Sequence, residues 1–229
     1  MTLYDAIFER HSVRDYIDHP LLADIVDAVK REIDATNKES GLHIQLAVEE
    51  PLAFKGIKSY GKFHGVNNYI IMAGKKKADL DINVGYYGER LILFLQTLGL
   101  NSCWVGMTYG KTEGAFCLDK DEKVCCVIAF GYGKTQGARH KIKTVNQVSN
   151  ASAQTPEWFR NGVEAALLAP TALNQQKFFF EYAGVGTNGR GLVRAKKGFS
   201  LFGYTKMDLG IAMLHFELGA GKENFCWID

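Results

Sequence analysis

Leu22, Ile25, Val26, Val29 and Ile33 recur at helical spacing after Pro20, with charged residues between them. That pattern predicts an amphipathic helix running to about Ala35. Ahead of it, Thr2 with Asp5 three residues on reads as an N-cap opening a short helix that ends near Arg10. His43 to Val48 and Tyr69 to Ala73 read as strands, and the glycine- and lysine-rich stretch from Phe54 to Gly65 as a loop. Gly85 to Leu98 differs in kind. Leu91, Ile92, Leu93, Phe94, Leu95 and Leu98 place apolar groups on most faces of one helix, as in helices buried in the middle of a protein. Gly99 closes this helix, Cys103-Trp104-Val105 begins an extended segment, and Val124 to Phe130 is a buried strand followed by Gly131 and Gly133.

From Asn146 to Gln154 the chain is polar, which predicts a surface connection. Thr155-Pro156-Glu157 then starts a helix, with a hydroxyl cap, a proline in the first turn and an acid at the positive end of the dipole. The helix runs through Val163, Ala166 and Leu167 and stops before Pro170. An aromatic strand, Phe178 to Tyr182, a glycine-rich hairpin and a second long helix, about Asp208 to Leu218, follow. Two stretches echo each other. Asn83-Val84-Gly85, a helix and Cys103-Trp104-Val105 match Asp208-Leu209-Gly210, a helix and Cys226-Trp227-Ile228. Gly85 to Cys103 is 18 residues, Gly210 to Cys226 is 16, and the two copies lie near an offset of 125. Two apolar helices followed by strands can coincide by chance, but Cys-Trp is a rare dipeptide, and duplication is the reading favoured here.

The 229 residues fit one large domain or two intimately packed halves, and 47% hydrophobic against 23% charged residues leaves ample material for a core. A net charge of +2 is too small to point to nucleic acid. The five cysteines show no metal-ligand spacing, and with no basic-then-apolar N-terminal region the expectation is a reduced, cytoplasmic chain. The longest apolar run, Leu91 to Leu95, is far too short for a membrane span.

Four clusters carry candidate chemistry. Arg10-His11-Ser12-Val13-Arg14 gathers two guanidiniums, an imidazole and a hydroxyl, donors suited to a phosphate dianion, although most short basic runs are solvated turns. Pro170, Thr171, Ala172, Asn174 and Gln175 form a rigid turn whose amides can meet the alternating donor–acceptor edge of a flavin pyrimidine; taken alone, it also fits an ordinary helix-to-strand loop. Gly106, followed by Met107, permits close backbone approach to a flat ligand after the Cys103-Trp104-Val105 strand. Arg139 and Lys141, with Lys143, are a second candidate set for phosphate, or a solvated basic tail.

These pieces resemble the nitroreductase family. Arg10 to Arg14 after a short N-terminal helix is similar to that family's FMN-phosphate signature. Ala165-Ala166-Leu167-Leu168-Ala169-Pro170-Thr171-Ala172-Leu173-Asn174-Gln175-Gln176 resembles its Ala-Pro-Ser-x-x-Asn-x-Gln-Pro segment, and Leu98 to Gly106 resembles its Leu-Gly-Leu-Gly-x-x-Trp-Ile-Gly stretch. In ordinary members the Ala-Pro segment follows the arginine signature by a few tens of residues; here it comes about 155 residues later. The resemblance therefore implies a fused variant. Its fold is α+β and nitroreductase-like, with an antiparallel-rich sheet flanked by helices and two related halves forming a pseudo-dimer. Residues 1–148 carry the phosphate motif and 149–229 the Ala-Pro-Thr segment, intimately packed as one unit, expected as a monomeric pseudo-dimer with further homo-oligomerisation left open. Since residues 146–160 contain only Arg160 and 31–51 hold no Ala-Pro-Thr-like segment, one FMN per chain is expected.

By the same resemblance, the activity is an FMN-dependent oxidoreductase passing electrons from NADH or NADPH to a small organic oxidant by a ping-pong mechanism. Arg10, His11 and Ser12 would anchor the phosphate, and Arg14 would place positive charge near N1 of the ring. Asn174 and Gln175 would read the pyrimidine edge, and the amide near Gly106 or Met107 would meet N5. No side chain need act as catalytic acid, and the partners are small molecules rather than nucleic acid or membrane. Two further readings stay open: a flavin-binding or sensing protein with little turnover, and an α+β interaction module without cofactor.

Overall fold

A reciprocal capping box opens helix α1 (Leu3–Glu9): the Thr2 hydroxyl accepts from the Asp5 amide at 3.1 Å and the Asp5 carboxylate from the Thr2 amide at 2.9 Å. In the computed structural model, which describes residues 1–54, 62–106, 116–201 and 203–229, the short α1 gains its stability by burying Ala6 and Ile7 against Leu93, Ala165 and Leu214. Thr2→Ala removes one half of the box and should lower stability by about 1 kcal/mol in urea unfolding.

Helix α2 (Ala23–Ser40) runs five residues past the expected end, because Thr36 is buried and Gly41, at φ 67°, supplies the left-handed cap. Strand β1 (Gln45–Ala47) is shorter than expected: the carboxamide of Asn37 takes both the amide and the carbonyl of Ile44. Strands β2 (Asn68–Lys75), β3 (Asn101–Val105) and β4 (Glu122–Gly131) join β1 in an antiparallel sheet of order β1-β2-β4-β3. Both faces of this sheet are covered. Ile70, Met72, Cys126 and Ile128 face the main core, while Tyr69, Ile71, Val127 and Ala129 face a second cluster with Val13, Tyr16, Phe54 and Phe63. Double-sided burial is why these strands read as unbroken apolar runs. Of the stretch expected as a loop, Leu52–Phe54 forms a single 3₁₀ turn, and residues 55–61 lie outside the described residues.

Helix α3 (Leu80–Thr97) begins five residues ahead of Gly85 and ends on Gly99 at φ 76°. The connection expected at the surface instead contains a short helix, α4 (Val145–Val148), and places Val148 in the core and Ser149 beside Phe180. Helix α5 (Glu157–Ala166) has Pro156 at its N-cap rather than Thr155, whose hydroxyl donates to the Ser152 carbonyl. Strands β5 (Phe178–Val185) and β6 (Gly191–Lys197) form the glycine-rich hairpin, and helix α6 (Thr205–Ala220) leads to β7 (Phe225–Ile228), which pairs with β6 in parallel. Phe159, Phe180, Phe216 and Phe225 pack between this second sheet and the helices, with Phe180 stacked on Phe216 at 4.7 Å.

The order α2-β1-β2-α3-β3 is repeated as α5-β5-β6-α6-β7. The two long helices meet at the echoed glycines. A Cβ on Gly85 would lie 2.0 Å from the Met207 carbonyl oxygen, and one on Gly210 would lie 2.0 Å from the Ile82 carbonyl oxygen. Met207 stands three residues before Gly210, as Ile82 stands three before Gly85. Each helix thus presents the same bare backbone to the other. The first sheet has β4 between β2 and β3; among the described residues the second has no counterpart, and β7 lies directly against β6.

Candidate cofactor site

Arg10 is the C-cap of α1, its amide donating to the Ala6 carbonyl, and the chain then turns out along the sheet edge. Ser12 bridges to Ser102, the Val13 amide donates to the Ser102 carbonyl at 3.0 Å, and the Tyr16 hydroxyl donates to the carbonyls of Val13 and Ala129. The run 10–14 is therefore clamped beside β3. His11 and Ser12 are half-buried, Arg14 is exposed, and Arg10 is 96% buried, being 4% exposed.

Behind Arg10 lies a polar cluster within the core. Glu89 of α3 is fully buried; it accepts from the Trp104 indole at 2.9 Å, meets His215 Nε2 of α6 at 3.0 Å and stands 3.9 Å from Arg10 Nε. The other His215 nitrogen faces the Ala165 carbonyl at 3.2 Å, so both ring nitrogens are tied into the core. Arg10 Nε and Nη1 have no hydrogen-bond partner among the described residues. Buried N–H groups of a cation left without acceptors are costly, and an anion at this position would satisfy them.

The candidate second set forms a strap across the same region. Gly137 packs on His11, a Cβ there falling 2.6 Å from that of His11, and His140 Nε2 lies 3.2 Å from the Leu167 carbonyl. Burial pushes the His140 imidazole below its ordinary value, and the charges of Arg10, His11 and His215 add to that shift. Arg139 and Lys141 are exposed, and neither side chain has an ion-pair or hydrogen-bond partner among the described residues. The Lys141 carbonyl accepts from Asn174 at 2.8 Å and from Gln176 at 2.7 Å, while Lys143 donates to the carbonyls of Gln175 and Gln176. Residues 137–143 thus touch the arginine run at one end and the Pro170 turn at the other.

Asp208 and Gln176, which are not among the candidate site residues, help build that turn. Leu173 and Asn174 each sit at φ 53° and Gln176 at φ 44°, left-handed conformations held by tertiary hydrogen bonds. Asp208, in the first turn of α6, accepts from the Ala172 amide at 2.9 Å and from Gln175 Nε2 at 2.8 Å. Gln175 also donates to the Gly203 carbonyl, and Gln176 donates to Asn174 Oδ1. The side-chain amides of Asn174 and Gln175 are therefore committed to shaping the loop, and Thr171 accepts from the Gln176 amide. Pro170, Thr171 and Ala172 are partly exposed. The signal that could have found Asp208 is an acid beside the echoed glycine, at the start of an apolar helix.

Burial raises the Asp208 carboxyl to about 6 from an ordinary 3.8. Because the folded protein then holds this proton more tightly than the unfolded chain, the associated stabilisation is complete below about pH 4 and is lost as pH rises through 6. The difference is about 3 kcal/mol. Asp208→Asn should remove that slope in urea unfolding measured from pH 4 to 7; an unchanged slope would assign it to another group.

Gly106, ending β3, lies under Tyr204: a Cβ there would come within 2.6 Å of the phenol oxygen. Tyr204 adopts φ 59° and follows Gly203, whose carbonyl receives Gln175, so Gly106 and the Pro170 turn are joined through two residues. Met107 lies outside the described residues. Cys103 is buried between Arg10, Ser12 and Arg14, and burial raises its thiol, which argues against a nucleophilic role. No group of metal-ligating side chains occurs among the described residues, and no helix there is long and apolar enough to cross a membrane.

The family described as "Putative TM nitroreductase" matches residues 2–220. A putative nitroreductase from Thermotoga maritima is 24% identical and superposes with a TM-score of 0.67 over 97% of this chain and 85% of its own. A nitroreductase family protein from Clostridium difficile is 18% identical, with a TM-score of 0.51 over 68% of this chain and 100% of its own. A putative nitroreductase in complex with FMN from Desulfovibrio desulfuricans is 15% identical, with a TM-score of 0.52 over 68% of this chain and 98% of its own. No curated protein matches the chain.

Proposed function

The chain belongs to the family described as "Putative TM nitroreductase", and from that premise we propose that it is an FMN-dependent oxidoreductase using NADH or NADPH to reduce a small organic oxidant. The observation that carries this reading is Arg10: a guanidinium 4% exposed, ion-paired to Glu89 at 3.9 Å, whose Nε and Nη1 have no hydrogen-bond acceptor among the described residues, in a run that also brings His11, Ser12 and Arg14. Bound FMN supplies a ring that accepts hydride at N5 and passes electrons on in a ping-pong cycle.

The residues divide the work. Arg10, His11 and Ser12 hold the phosphate, with Arg139 and Lys141 adding charge from the strap. Arg14 stabilises negative charge on the ring. The Pro170 carbonyl and the Thr171 amide are offered to the pyrimidine edge beside Ala172, from a turn that Asp208, Asn174, Gln175 and Gln176 fix in shape. The backbone at Gly106 permits close approach because it carries no side chain. The chain acts as a monomeric pseudo-dimer of halves 1–148 and 149–229, a reading supported by the reciprocal contact of Gly85 and Gly210. It binds one flavin and works in the cytoplasm.

A flavin-binding protein with little turnover is the second reading, favoured by Tyr204, whose ring stands against Gly106 and crowds a ligand reaching that amide. Titration of the purified protein with FMN, followed by anaerobic NADH or NADPH, tests both. Uptake of one FMN with bleaching by the nicotinamide supports the oxidoreductase. Uptake without bleaching supports the binding protein, and a chain that takes up no FMN overturns the proposal.

A further inference from the structure

A cavity of about 420 Å³ opens where the starts of α3 and α6 come together, lined by Asp81, Lys123, Cys125, Lys197, Tyr204 and Lys206 among others. Its charge is unbalanced. Lys123 Nζ donates to Asp81 Oδ1 at 3.0 Å, which uses the one carboxylate in the lining. Lys206 donates to the Ala78 carbonyl, which satisfies a hydrogen bond and leaves the charge, and Lys197 has no partner among the described residues. Two of the three lysines lining this cavity therefore have no carboxylate partner among the described residues. The end of α6 adds to the same sign, since Tyr204 at its N-cap makes no side-chain cap. Burial holds the Cys125 thiol up at about 11, so no thiolate offsets the lysines.

The position gives this charge a use. Tyr204 is at once a wall of the cavity and the residue packed on Gly106. A ligand seated here meets the Tyr204 ring, whose phenol stands against the Gly106 backbone that the proposed function sets at the reactive edge of the flavin. Sites of this volume take single-ring molecules readily, and two uncompensated ammonium groups select for an oxyanion.

Resting on the flavin reading, we propose that this cavity is the oxidant subsite and that Lys197 and Lys206 bind the carboxylate or phosphate of a small anionic organic oxidant. With a nitroaromatic carboxylate the net reaction balances as hydride from the nicotinamide plus one proton from solvent, the nitro group becoming nitroso with release of water.

The probe is 4-nitrobenzoate, with its neutral methyl ester as comparison. The wild-type chain should favour the acid in kcat/KM, and the Lys197→Gln/Lys206→Gln chain should lose that preference by fivefold or more, mainly through KM. Lys38→Gln, exposed on α2, serves as the control and should keep it. Isothermal titration of 4-nitrobenzoate into the protein as purified gives a readout independent of turnover, and the double variant should bind at least fivefold more weakly. If flavin is absent yet this binding depends on the two lysines, the subsite stands as an anion site while the flavin reading falls. If flavin binds and is bleached but the preference is unmoved, the subsite is wrong. A loss confined to the nicotinamide in the reductive half-reaction also overturns it, because the lysines would then serve the donor.

Discussion

Arg10→Ala is expected to leave the chain without flavin after dialysis, its FMN dissociation constant raised about ten- to 150-fold. That range corresponds to about 1.5–3 kcal/mol for hydrogen bonds to a charged partner. The geometry explains why this arginine outranks Arg14, Arg139 and Lys141, which are exposed and whose charges solvent screens. Arg10 Nε and Nη1 are shut away from water without a hydrogen-bond acceptor, and Glu89 at 3.9 Å supplies charge but no hydrogen bond, so a bound anion can add hydrogen bonds that no water competes for. Arg10→Lys should recover only part of the affinity, because one ammonium cannot reproduce two fixed donors on a planar fork. Glu89 keeps His215 and Trp104 in either variant but loses the Arg10 charge in Arg10→Ala, so the urea midpoint of each variant is the control that separates lost flavin affinity from lost stability. Full flavin retained by Arg10→Ala through dialysis would move the phosphate elsewhere.

Gly85→Ala and Gly210→Ala should each destabilise the protein by about 3 kcal/mol or more, although alanine in a helix interior gains about 1 kcal/mol over glycine from propensity. Each added Cβ would fall 2.0 Å from a carbonyl oxygen of the opposite helix. Backbone cannot swing aside as a side chain can, so α3 and α6 must separate and the shared core opens. Against a total stability of about 5–15 kcal/mol such a loss is severe. The contact is reciprocal, and once one methyl has parted the helices the second meets less resistance. The double variant should therefore cost less than the two single losses together, by at least 0.5 kcal/mol on the scale typical of coupled neighbours. Strict additivity in urea unfolding would show that the helices adjust independently at the two glycines.

Some of this was legible in the residues alone. The Thr2–Asp5 pair specified α1 down to both hydrogen bonds of its box, because capping involves groups three positions apart. The all-round apolar surface of α3 gave its burial correctly, while of the α2 stripe only Val29 and Ile33 are buried, Ile25 and Val26 being half-buried and Leu22 exposed at the N-cap. The Asn-Val-Gly and Asp-Leu-Gly echo led to the point where the two long helices meet. Local errors had non-local causes. Asn37 shortened β1 from outside the strand, and Val148 was drawn into the core by packing that its polar neighbours could not announce.

The site divides in the same way. Side-chain chemistry and order along the chain determined that Arg10 to Arg14 favours an anion and that Pro170 ends a helix in a rigid turn. Only the folded chain decided that Arg10 would be buried beside Glu89 with two N–H groups lacking hydrogen bonds, that Asp208 would hold the turn, and that Asn174 and Gln175 would be committed to the loop itself. The physical reason is range: periodicity and capping report interactions within a few residues. Glu89–His215, Ala172–Asp208 and Gly106–Tyr204 join residues from 36 to 126 positions apart, and their strength depends on a burial that no local pattern encodes.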